Sequence, residues 1–412
     1  MPHSATPFAL PAWVDPEAVF VHLFADAPHA FWLDAGVDAR EGWSWMGTGE
    51  PDTSSAPMDQ HAAGSGGSRE PAGAFRGGWV GWRSYEGEPA WLRVRDFLAF
   101  DHAARRVWVH GDPTLATRAV AAPAAPAVPP AQHRGTASGR VPPARYAQLV
   151  EACRERIREG DAYQLCLTTR FTVSGNVRAV DVFRRLRRSS GSHHAGLIRL
   201  GATTLVSASP ERFLEVRDGS VHTHPIKGTR PRSADPARDA ALAEELRTDA
   251  KERAENVMIV DLMRNDLSRV CAPSSVGVDR LLEVETYPHV HQLVSEVSGR
   301  LLPRTTLGAL LAATFPAGSM TGAPKESAMQ ILARLEGADR GIYSGTFGWI
   351  GDDGAADLAM VIRSIVVEQD AAWVGAGGGI TWRSVAASEV AEVGIKARAP
   401  LAALGAEVPP GW

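Results

Sequence analysis

Apolar residues return at helical spacing through Tyr146, Leu149, Val150, Cys153 and Ile157, which predicts an amphipathic helix closed by Gly160. Directly after it the period drops to two. Tyr163, Leu165, Leu167 and Phe171 alternate with Gln164, Cys166, Thr168 and Arg170, so a strand is expected with Gln164 turned away from its more apolar side. Further strand-like runs cover residues 195–200, 204–207, 213–216 and 221–226, ahead of a long helical stretch at 236–270. A helix is expected at 323–335, strands at 344–350 and 358–367, a glycine turn at Gly377, Gly378 and Gly379, and a last helix from about Val385.

Two stretches lack either period. Residues 50–73 are rich in Gly, Ser, Pro and Asp, and residues 112–143 are an Ala/Pro-rich run; both read as loops. They suggest an N-terminal part (1–120) contributing strands near 31–34, 77–85 and 107–110, a linker (121–143) and a main body (144–405). The N-terminal part looks like half of a sheet that needs the main body to pack against. Strands grouped with flanking helices, without regular βαβ alternation, predict an α+β fold with largely antiparallel sheet.

Composition narrows the function more by exclusion than by suggestion. The 412 residues are 44% hydrophobic and 22% charged with a formal net charge of −4, so no polyanionic partner is called for and nucleic acid is not expected. Arg184, Arg185, Arg187 and Arg188 read as a solvated helix face. Cys153, Cys166 and Cys271 are few and far apart, which fits a reducing compartment and no zinc site. Residues 1–16 have no basic stretch followed by an apolar one, and runs such as 307–315 are far too short to span a bilayer. A cytoplasmic location away from membranes is the expectation.

Charge type is more telling than charge balance. The chain has 43 basic residues, yet Lys227, Lys251, Lys325 and Lys396 are its only lysines, and each lies in a glycine- or carboxylate-rich motif. Arginine cannot replace a compact ammonium or an amine that loses its proton and attacks carbon, so these positions are where chemistry is sought. Glu252 and Glu255, and again Glu389 and Glu392, are three apart on expected helices, each pair on one face. Such pairs are also ordinary solvated faces; converging in space, they would suit a hard divalent cation. Glu211, in Ser209-Pro210-Glu211, stands at a proline-stiffened corner fit for a general acid or a turn cap. The runs 318–325 and 375–379 offer backbone N–H groups to an anion, the first by opening a helix, but neither is a nucleotide phosphate loop.

In this order, Ser209-Pro-Glu-Arg-Phe213, Pro225-Ile-Lys-Gly-Thr229, the run 253–267, Gly318-Ser-Met-Thr-Gly-Ala-Pro-Lys325, Ala376-Gly-Gly-Gly-Ile380 and Glu389-x-x-Glu392-x-x-x-Lys396 resemble the motifs of chorismate-utilising enzymes. The likeness spans about residues 144–400 and is looser earlier, where 77–86 is similar to a segment of the aminating members. It implies an anthranilate synthase component I-like fold of large, mainly antiparallel sheets packed as a sandwich. Hydrolysing or isomerising members carry a Lys base where this chain has Gln164; aminating members have Gln. Anthranilate synthases usually read Pro-Ile-Ala-Gly-Thr, whereas Lys227 matches the nucleophile of many aminodeoxychorismate synthases.

The resemblance therefore implies a transaminase-type amination of chorismate at C4, leading to 4-aminobenzoate and folate. Mg²⁺ would be held by Glu255 and Glu392 with Glu252 and Glu389 as further or water-mediated ligands. Glu211 would protonate the departing hydroxyl, Lys227 would add at C2, and Gln164 would orient ammonia. Thr229, Tyr343, Arg363, Thr321, Lys396 and the N–H groups of Gly377, Gly378 and Gly379 would grip the substrate's anionic groups. Ammonia would come from a separate glutamine amidotransferase subunit, since no cysteine lies in a nucleophile elbow. Rival readings are anthranilate synthase component I, an aminodeoxyisochorismate synthase, and a non-catalytic chorismate-binding regulatory subunit. Phe31-Trp-Leu-Asp34 loosely resembles the segment that holds tryptophan in this family, so a bound tryptophan is a further partner to look for. The chain departs from the family pattern at Gln292 (usually His), Arg383 (Asp), Val390 (Tyr) and Ala317 (Gly).

Overall fold

The computed structural model describes residues 6–62, 73–192, 194–287 and 290–412. Part of the expected loop at 50–73 thus lies outside the described residues. Two sheets, of twelve and ten strands, account for most of the β structure, and every pairing between named strands is antiparallel.

Alternation along the strands explains the layering. In the strand His29–Asp34, Ala30 and Trp32 join a core shared with the helices, while Phe31 and Leu33 enter the core between the sheets. Leu165, Leu167 and Phe171 go to the helix-side core, and Cys166 to the inter-sheet one. Strands covered on both faces read as nearly continuous apolar runs. That is why Trp43–Thr48 and Phe97–Asp101, both in the larger sheet, show no clear period of two.

The N-terminal residues supply strands to both sheets, not to half of one. His29–Asp34 pairs with His194–Leu200 in the first, and Gly78–Arg83 pairs with Thr346–Gly351 in the second. The arginine cluster on helix Ala179–Ser189 corrects the solvated-face expectation. Arg184 and Arg187 are buried and ion-paired to Glu17, and Arg187 also grips Asp34 at 2.9 Å while lying over Trp32. Paired guanidinium groups tolerate burial, and these tie the N-terminal residues to the main body.

Three other expectations change. The run at 221–226 is split into strands Ser220–Thr223 and Ile226–Pro231. The helical region 236–270 is two helices, Pro236–Thr248 and Ala250–Ser268; Asp249 caps the second by accepting from the N–H groups of Lys251 and Glu252. The glycine run 377–379 is no turn but part of the ten-residue strand Ala371–Ile380, paired with Gln164–Ser174.

Candidate active site

A polar-lined cavity of about 370 Å³ opens where the glycine strand, the strand Ile226–Pro231 and two helices meet. One helix, Ala250–Ser268, brings Glu252 and Glu255 in its first turns; the other, Ala386–Leu404, brings Glu389, Glu392 and Lys396. Lys227, Lys251 and Lys396 all line the cavity. The fourth lysine does not: Lys325 is held by Asp266 at 2.6 Å and by the Thr314 carbonyl at 2.8 Å, a buried structural ion pair.

Glycines allow this convergence. Gly228, at φ +79°, sits at a bulge between Lys227 and Thr229, and a Cβ there would lie 2.6 Å from Leu246. The bulge turns Lys227 into the cavity and leaves Thr229 exposed at its rim. A Cβ on Gly375 would strike the Tyr343 ring at 2.1 Å, and one on Gly378 would lie 3.2 Å from Glu389 Oε2 and 3.6 Å from Glu392 Oε1. The strand Ser364–Val367 pairs with the glycine strand only as far as Val374. Beyond that point the strand edge is open on this side, and Lys396 Nζ donates to the Gly377 carbonyl at 2.9 Å.

Glu211 leaves the turn after strand Thr203–Ser209, where its N–H donates to Ser209 Oγ. Its side chain is buried, and Oε1 accepts from Ser319 Oγ at 2.8 Å. Burial raises the Glu211 carboxyl above its ordinary range, against the opposing pull of Lys227 and Ser319, so it tends to keep its proton. Around Lys227, burial works to lower the pKa, yet Glu255, Cys166, Glu211 and Glu392 outweigh it and hold the ammonium charged. Burial raises Glu255 and Glu252 as well. For Glu392, burial works upward but the Lys396 ammonium at 2.6 Å, with Lys251 and Lys227, holds it below the usual range. Arg363 is lowered by burial, and Tyr343 is raised by burial beside it.

The carboxylates suit a hard divalent cation. Glu255 Oε1 is buried with no hydrogen-bond partner, and the Lys251 ammonium is drawn between the helices, 3.8 Å from Glu255 and 3.7 Å from Glu389. The Lys251 ammonium is thus drawn to oxygen donors of the kind Mg²⁺ prefers. No three of the four glutamates bring ligand oxygens within 4.8 Å of one another.

Two residues are placed differently from the expectation. Thr321 is fully buried outside the cavity lining, its hydroxyl donating to the Ala317 carbonyl at 3.1 Å, so it shapes the turn. Gln164 is buried beside the cavity rather than in its lining; a Cβ on Gly379 would fall 2.3 Å from its Nε2. Neither Nε2 nor Oε1 of Gln164 has a hydrogen-bond partner, which leaves a buried amide free to orient a small polar guest. Gly318–Met320 forms a single 3-10 turn and the next helix starts only at Lys325, so that run does not present a helix N-terminus to the site. Lys251, singled out only as one of the four lysines, lines the site, and so do Cys166, Ser319 and Gln292, to which the sequence assigned no role. Lys251 directly precedes the first glutamate pair, Ser319 lies in the run 318–325, and Cys166 shares the strand face of Gln164, whereas Gln292 stands out only as a departure from the family pattern.

Residues 15–402 match the family described as chorismate binding enzyme. The chain belongs to that family. It is 37% identical to aminodeoxychorismate synthase of Streptomyces pristinaespiralis over 95% of its length, and spans 64% of that relative. It is 40% identical to anthranilate synthase component 1 of Streptomyces coelicolor over 80% of its length and 73% of that protein. Anthranilate synthase component I from Streptococcus pneumoniae has a similar structure, with a TM-score of 0.73, 28% identity, and coverage of 96% of this chain and 92% of that one. The α+β sandwich expected from the motifs is therefore the family's fold.

Residues 31–34, likened to a tryptophan-holding segment, divide between core and cavity. Phe31 and Trp32 are core residues, while Leu33 and Asp34 border a second cavity of about 470 Å³. Asp34 is already engaged by Arg187. Among the described residues no helix is long and apolar enough to cross a membrane.

Proposed function

We propose that the chain is the chorismate-aminating component of an aminodeoxychorismate synthase, placing nitrogen at C4 in a transaminase-type reaction, with ammonia delivered by a separate glutamine amidotransferase subunit. The observation that carries this reading is Lys227. It is the residue type that separates this activity from anthranilate formation, and it lines the same cavity as Glu211, Glu252, Glu255 and Glu392.

Glu211, whose protonated form burial favours, is suited to give its proton to the departing C4 hydroxyl, which leaves as water while the neutral Lys227 amine adds at C2. Ammonia, oriented by the unpartnered Gln164 amide, then adds at C4 and expels Lys227. Arg363, Tyr343 and the open edge of the glycine strand, all of which line the cavity, would hold the substrate's carboxylates. Mg²⁺ held by Glu255 and Glu392, with Glu252 and Glu389 behind them, would supply charge against the ring carboxylate and cancel the fields that keep Lys227 protonated.

The chain's own cysteines favour an outside source of ammonia. All three are buried, and burial pushes Cys153 up to about 12 and Cys271 up to about 11, far from a reactive thiolate. The test is incubation with chorismate, Mg²⁺ and either ammonium or glutamine, followed by product identification. Ammonium should yield aminodeoxychorismate, and glutamine nothing. Anthranilate as the product would transfer the chain to the other aminating activity, and efficient use of glutamine by the pure chain would refute the separate subunit.

A further inference from the structure

We propose a second metal site, for a borderline divalent ion such as Zn²⁺, on the ten-stranded sheet away from the catalytic cavity. Among the described residues, His222, Asp279 and Glu296 each offer one ligand atom, all within 4.8 Å of one another. Three adjacent strands supply them: Ser220–Thr223, Gly277–Thr286 and Val290–Arg300.

The local geometry accounts for each donor. His222 and His224 are two residues apart and so share a face; His222 Nδ1 is 3.2 Å from Glu296 Oε1, and His224 Nε2 is 3.4 Å from the same oxygen. Asp279 joins them through a bulge, because Val278 pairs with Val297 and Arg280 with Glu296, leaving Asp279 as the extra residue. Bulges re-aim a side chain in this way. Arg280 holds the other carboxylate oxygen, Glu296 Oε2, at 3.3 Å, which orients Glu296 and leaves Oε1 toward the imidazoles. On the second ring, that of His224, Nε2 faces Glu296 while Nδ1 is buried with no hydrogen-bond partner.

One imidazole and two carboxylates are a mixed nitrogen and oxygen set, which suits Zn²⁺ and not Mg²⁺, the reverse of the all-oxygen catalytic set. The bound ion would fasten the strand Gly277–Thr286 across its neighbour to the segment that continues, three residues past His224, into Lys227. The site is independent of the amination chemistry.

The experiment is calorimetric titration of the untagged, chelator-stripped full chain with ZnCl₂ in excess MgCl₂, which occupies the glutamate pairs. One Zn²⁺ per chain is expected. His222→Ala and Glu296→Gln should each weaken it by about tenfold or more, while the Glu255→Ala, Glu392→Ala double variant should bind it like the wild type. Asp279→Asn, at an exposed position, gives a third variant that does not disturb packing, and it too should weaken binding. Co²⁺ should add visible d–d absorption that the same variants lose. No Zn²⁺ binding under excess Mg²⁺, binding indifferent to the His222, Asp279 and Glu296 variants, or binding lost only with Glu255 and Glu392, would overturn the site.

Discussion

Glu211→Gln tests the general acid with little disturbance of the fold. The side chain is buried, and its one side-chain hydrogen bond, from Ser319 Oγ at 2.8 Å, can be accepted equally by a Gln carbonyl. Burial already disfavours the Glu211 carboxylate, so a neutral isostere costs no favourable charge interaction that burial had not opposed, and the melting midpoint should be unchanged or slightly raised. Chemistry should suffer instead. A positioned general acid contributes about 10²–10⁴-fold, or roughly 3–5 kcal/mol of barrier, and the variant should lose that in kcat with KM for chorismate little changed. The assay is product formation at saturating chorismate, Mg²⁺ and ammonium, measured across pH. Wild-type activity should fall as pH rises through the raised Glu211 pKa, because the acid form is the active one. Ser319→Ala removes a hydrogen bond that favours the carboxylate, so it should move that limb to still higher pH. A Glu211→Gln enzyme within threefold of wild type, or a Ser319→Ala limb displaced to lower pH, would refute the assignment.

Lys227→Arg should be nearly as inactive as Lys227→Ala at saturating ammonium, since a guanidinium keeps the charge but offers no free amine; an Arg variant within a few-fold of wild type would end the covalent route. Chelation should abolish activity and Mg²⁺ restore it, and the Glu255→Ala, Glu392→Ala pair should lose detectable Mg²⁺ binding in calorimetry; full turnover in EDTA would remove the metal from the account. Lys325→Met should leave Asp266, almost fully buried, without its ion-pair partner and cost about 3–5 kcal/mol in urea unfolding, with kcat per folded molecule retained; a loss of activity without loss of stability would move Lys325 into the chemistry.

The motifs were legible in the sequence because they impose residue types that nothing else supplies. A sparse lysine and paired carboxylates at helical spacing are local statements, and Lys227, Glu252, Glu255 and Glu392 all line the cavity. The strand Gln164–Ser174 and the helix Pro143–Arg158 were equally visible, since each has one clear period. Other features depend on contacts between distant segments. Arg184 and Arg187 look solvated along the chain, and only Glu17 and Asp34, brought in from the N-terminal residues, make their burial tolerable. Gly377, Gly378 and Gly379 look like a turn, yet pairing with Gln164–Ser174 holds them extended, because a strand's hydrogen bonds are made by its neighbour and not by its own sequence. Lys251 and Lys325 are the same residue in similar motifs. What separates a cavity-lining ammonium from a buried strut is which carboxylate, Glu389 or Asp266, the fold sets beside it, and charge interactions at these distances depend on spatial separation alone.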